Sequence, residues 1–115
     1  MGVDRRDYVI YGYKMPYDYL ESKGLNIWED QKYLPFIEEW KKEDYSIIYD
    51  QMCAGYIVFG MRIAYADQKG FEFVELPISG WPNQSDLIKD KFKEIFGISA
   101  ADFGEPKVLL FTHYL

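Results

Sequence analysis

An unbroken extended segment from Tyr56 to Ala66 dictates that this chain builds a sheet. Ile57, Phe59, Met61, Ile63 and Tyr65 alternate on one side of it, and Tyr56, Val58, Gly60, Arg62 and Ala64 on the other. Asp67-Gln68-Lys69-Gly70 has the composition of a hairpin, with Gly70 free to take a positive φ. Phe71 to Leu76 reads as the returning strand, stopped by Pro77. The remaining elements have to be arranged around this pair.

Tyr8 to Tyr13 is a second strand, apolar or aromatic on both sides, which points to cover on both faces. Pro16 suits the first turn of a short helix over Tyr17–Lys23, with Gly24 as its stop. Asn26 and Glu29 have the spacing of a capping box. Pro35 fits the first position of a helix reaching about Lys42, with Phe36, Ile37 and Trp40 on one face. Tyr45–Tyr49 is a short strand. Asn83 can cap a helix whose apolar stripe is Leu87, Ile88, Phe92, Ile95 and Phe96, closed by Gly97 and Ile98. Lys107 to Tyr114 ends the chain as a strand. The order predicts an α+β domain, residues 1–115: one mostly antiparallel sheet of about five strands with two or three helices packed on one face.

Composition narrows the function classes. The chain has 115 residues, a length typical of one compact domain. It holds 19 acidic against 13 basic side chains, a net charge of −6, which sets a nucleic-acid surface at a disadvantage. The single cysteine, Cys53, has no intramolecular partner, and no run approaches a membrane span, so a cytoplasmic protein is expected. His113 is the only histidine, which removes metal sites built from several imidazoles. Cys53 has no cationic neighbour in sequence to activate its thiol. Of the acidic pairs, Glu38 and Glu39 diverge on a helix, and Glu72 and Glu75 fall on opposite faces of a strand. Asp86 and Asp90 share a helix face with Lys89 and Lys93 as an ordinary charge lattice. Neither a catalytic constellation nor a cofactor or metal motif is recognisable, and a non-enzymatic protein is expected.

The succession of elements is similar to that of the RNA-recognition motif. Its signature strand finds only Gly55 and Tyr56 in register, and Val58 and Met61 stand where stacking rings belong. Direct nucleic-acid binding is therefore not expected. Three stretches resemble another group: Asp7-Tyr8-Val9-Ile10-Tyr11-Gly12-Tyr13-Lys14, Tyr49-Asp50-Gln51-Met52 leading into Tyr56-Ile57-Val58-Phe59-Gly60, and Phe111-Thr112-His113-Tyr114. In overall style they look like small, acidic, uncharacterised bacteriophage proteins. That resemblance implies a cytosolic accessory protein acting on host or phage machinery, and it lends no functional residues.

Rings are the chain's chief resource for recognition: 11 Tyr, 8 Phe and 3 Trp. Tyr and Trp bring large contact area with few rotatable bonds, so a surplus beyond what one core hides suits a protein-binding or self-associating surface. The expected surface is Tyr17, Tyr19, Trp28, Tyr33 and Trp40 with Glu38 and Glu39, and its acidic rim favours a basic protein partner. The alternative is a small-ligand pocket, lined by aromatic rings, between the sheet and segment 25–44.

Overall fold

The computed structural model describes residues 5–27, 29, 31–37, 45–50, 55–66, 70, 71, 73, 75 and 84–114. Four strands form one antiparallel sheet: β1 (Arg5–Pro16), β2 (Tyr45–Asp50), β3 (Tyr56–Ala66) and β4 (Lys107–Tyr114), in the spatial order β2-β3-β1-β4. The long extended segment is β3, with the bounds its composition predicts. The apolar opening becomes β1, at the centre of the sheet between β3 and β4. Tyr8, Val9, Ile10, Tyr11 and Tyr13 are all buried there, as cover on both faces requires.

Helix α3 (Ser85–Phe96) lays Ile88, Phe92, Ile95 and Phe96 onto one side of the sheet. They meet Tyr11, Tyr13 and Met15 of β1, Ile57 and Phe59 of β3, and Ile47 of β2. Phe92 sets its ring edge-on to those of Tyr13 and Phe59, each 5.6 Å away. Such pairs add about 1 kcal/mol each to the burial of their area. Gly97 ends α3 in the left-handed conformation at φ 73°, and its N–H donates to the Lys93 carbonyl. Two single-turn helices, α1 (Tyr19–Ser22) and α2 (Leu34–Ile37), complete this layer. Leu20, Ile27 and Tyr33 seal into the same core.

Several expectations need correction. The sheet has four strands among the described residues, not about five: Phe71, Phe73 and Glu75 stand outside any strand, and residues 72, 74 and 76–83 lie outside the described set. The capping role expected of Asn83 and the hairpin residues 67–69 therefore also fall outside it, although Gly70 has the positive φ expected of it, 74°. Pro16 closes β1 and does not open a helix; α1 begins only at Tyr19. Asn26 Oδ1 accepts a hydrogen bond from the Glu29 N–H at 3.3 Å, so the capping spacing is used, but in a turn. Leu87, assigned to the buried stripe of α3, is 52% exposed on its flank.

The other face of the sheet carries its own apolar cluster: Tyr8, Ile10, Ile48 and Val58, with Tyr56, Leu109 and Phe111 packed against them. Tyr65 belongs to this face, contrary to the strict alternation expected along β3. The pairing of β1 with β3 runs Val9↔Ala64 and then Ile10↔Arg62, so Ile63 is an extra residue. One inserted residue inverts the facing of everything beyond it. Tyr65 accordingly sits opposite Tyr8, with ring centroids 5.6 Å apart.

Gly12 and Gly60 face one another across β1 and β3. A Cβ at Gly60 would press on the Tyr11 carbonyl oxygen, on Ile10 Cγ2 at 2.7 Å and on Gly12 Cα at 2.8 Å. The two strands cross there at a separation that no side chain tolerates.

Candidate functional site

Of the seven residues expected to form a contact surface, Tyr17, Tyr19 and Tyr33 are described. Tyr33 is 1% exposed and its ring stacks on that of Phe96 at 5.7 Å, so it is a core residue and no surface anchor. Tyr19 is half-buried: its ring meets Phe103 edge-on at 4.7 Å, its hydroxyl donates to Asp102 at 2.9 Å, and Lys23 lies over its face at 5.5 Å. Burial and the Asp102 carboxylate raise its pKa. Tyr17 is half-buried against the main core, with its N–H donating to the Gly55 carbonyl. Trp28, Glu38, Glu39 and Trp40 lie outside the described residues, and with them the acidic rim that favoured a basic partner. Between α1, the 25–27 turn and Ile57 there is a cleft of about 30 Å³. That is room for a water molecule, whereas sites for drug-sized ligands run to several hundred Å³.

The two edges of the sheet differ sharply. On β2, Ser46, Ile47 and Ile48 are 1%, 0% and 4% exposed, and α2 packs beside the strand. On β4, Leu110 is 68% exposed, and Val108, Leu109 and Phe111 are only half-buried. Strand β4 pairs with β1 alone, so among the described residues its outer edge carries no neighbour. From Val108 to Phe111 that edge offers four apolar side chains, directed to both faces. Soluble proteins protect such an edge or use it, because its backbone N–H and C=O groups invite a further strand.

Beside this edge lies a cleft of about 390 Å³. Lys14, Tyr56, Val58, Leu109 and Phe111 line it. It exists because β1 outruns β4: Gly12 pairs with Lys107, the first residue of β4, and residues 13–16 of β1 continue beyond it. At the far end of β4, Asp7 accepts hydrogen bonds from Arg5 at 3.0 Å and from Thr112 at 2.7 Å, which hold its carboxyl below the usual aspartate range. His113 is 7% exposed, and its Nδ1 shares a 3.1 Å hydrogen bond with the Tyr56 hydroxyl. Behind Phe111, the Tyr8 ring is 1% exposed and its hydroxyl makes no hydrogen bond; burial pushes its pKa up to about 12.

A second cleft of about 390 Å³ lies between α3 and the 99–105 loop, lined by Lys89, Asp90, Lys93 and Glu105. Its charges balance, and Lys89 already donates to Glu105 at 2.6 Å. Asp86 and Asp90 are exposed on α3. No group of three His, Cys, Asp or Glu side chains among the described residues is placed to hold a metal ion. No described helix is long and apolar enough to cross a membrane. No protein-family model, curated protein or solved structure matches the chain.

The β4 edge was missed in the sequence because its signal is ambiguous. A strand apolar on both sides usually lies inside a sheet. The sequence signal of an open rim was only that residues 108–111 of β4 carry no charge, with Lys107 alone at its start.

Proposed function

We propose that this protein is a non-enzymatic protein-binding domain that docks an extended segment of its partner along β4. The observation that carries this reading is the exposed apolar edge, with Leu110 68% accessible beside a ready-made cleft, on a sheet whose other edge strand has Ser46, Ile47 and Ile48 buried. In strand addition, main-chain hydrogen bonds supply affinity and clefts beside the edge sort the incoming side chains. Covering two-thirds of a leucine side chain contributes about 1–2 kcal/mol, before any gain from Val108, Leu109 and Phe111. An accessory role exerted on another protein is also what the resemblance to bacteriophage proteins leads one to expect.

The test starts from peptides selected out of a random-sequence display library on the folded protein. Their binding is then mapped by backbone amide shifts. Perturbations should concentrate on residues 107–113 and on 13–16. Leu110→Arg should abolish binding while leaving the melting temperature unchanged, since Leu110 supports little of the core. Binders that perturb α3 or residues 17–33 in place of β4 would overturn the proposal.

A further inference from the structure

We infer that the segment taken up along β4 is an aliphatic strand carrying acidic side chains, placed against Lys14 and Lys107. This rests on β4 being the docking edge and adds the chemistry of the occupant. Lys14 lines the cleft and Lys107 stands two residues before Leu109, on the same face of the strand. Both are exposed, and neither forms an ion pair among the described residues. Other cations of this acidic chain are paired, Arg5 with Asp7 at 3.0 Å, Lys89 with Glu105 at 2.6 Å and Lys91 with Glu94 at 3.4 Å, while Lys93, also without an ion pair among the described residues, lies away from this edge on α3. No carboxylate among the described residues lines the cleft. Glu105, the acid nearest Lys107 in sequence, is turned away toward α3 by its bond to Lys89. The result is an apolar slot tipped with positive charge, in a chain whose net charge is −6.

Edge lysines commonly serve to deter stray strand pairing, and these two do so selectively. Antiparallel pairing of β4 with β4 of a second copy, centred on residues 108–111, would set Lys107 beside the second copy's Thr112 and His113, which carry no carboxylate, so self-association leaves the positive end of the edge without a counter-charge. An incoming Asp or Glu supplies that counter-charge. The occupant is therefore a different chain, acidic at its flanks and aliphatic at its centre.

Three synthetic peptides with one alternating Val/Thr centre and flanks of Glu, Ser or Lys would be titrated into the intact protein, with shifts at residues 107–113 as the readout. The Glu-flanked peptide should bind about tenfold tighter than the Lys-flanked one, the combined scale of two exposed ion pairs against two like-charge contacts. High salt should erase most of that margin. Lys14→Glu with Lys107→Glu should invert the order. Equal affinities for all three peptides at β4 would refute the acidic occupant and leave the docking edge standing. Failure of every peptide to perturb β4 would refute the docking edge itself, and the inference with it. A dimer that buries β4, dissolved by Leu110→Arg, would identify a second copy as the occupant and overturn the inference.

Discussion

Replacing Tyr8 by Phe should stabilise this protein, against the usual direction of a Tyr→Phe change in a core. The ring is 1% exposed, stacked against Phe111 at 5.4 Å and close to Tyr65, and its hydroxyl has no hydrogen-bond partner. Leaving a buried hydroxyl unsatisfied costs about 1–3 kcal/mol, because the unfolded chain offers it water. Removing the oxygen forfeits some dispersion contact, so a net gain of about 1 kcal/mol is expected at pH 7, or a melting temperature higher by about 4 °C. The pH dependence gives an independent check. Burial raises the Tyr8 pKa from 10.0 to about 12, so the unfolded chain ionises first as pH rises. That contribution to stability is complete below pH 10 and is lost between pH 10 and about 12, amounting to about 2 kcal/mol. Tyr8→Phe removes this loss, and the gap between variant and wild type should widen in alkali. Urea unfolding followed by far-ultraviolet circular dichroism at pH 7 and pH 11 measures both. A variant less stable than wild type by 1 kcal/mol or more at pH 7, or a gap that does not widen, would show that the hydroxyl has a partner in the folded protein.

Gly60→Ala should destabilise the sheet by at least about 3 kcal/mol, since the new methyl meets backbone of β1 and the Ile10 side chain; urea midpoints would report it. Asp7→Asn should cost about 1 kcal/mol at pH 7 by weakening the contacts to Arg5 and Thr112. Because the Asp7 pKa is lowered in the folded state, that stability is present above about pH 4 and fades as the pH falls through the folded value, so the variant's acid-unfolding curve should be flatter.

Much of the architecture was legible in the sequence, for reasons tied to particular residues. The bounds of β3 followed from its alternation, those of β4 from its apolar run, and the C-terminus of α3 from Gly97, which alone accepts φ 73° there without strain. The burial of β1 on both faces followed from apolar residues on both its sides. The orientation of Tyr65 did not follow, because the bulge at Ile63 arises from the pairing of two strands and leaves no mark on β3 alone. The fate of the tyrosines was equally hidden. Tyr33 and Tyr19 are alike in a composition count, yet one is sealed under Phe96 and the other is tied across to Asp102 and Phe103.

The amino-acid order by itself determined the extents of β3 and β4 and the presence of α3, since backbone preference and side-chain periodicity act over a few neighbouring residues. It also determined that Val108–Phe111 would be apolar. Whether that apolar run would lie inside the sheet or at its rim was decided only by the tertiary structure, through the order β2-β3-β1-β4. Strand order depends on contacts between residues far apart in the chain, such as Gly12 with Lys107. The same four side chains would have been core between two strands; with β1 as their one neighbouring strand among the described residues, they form an edge.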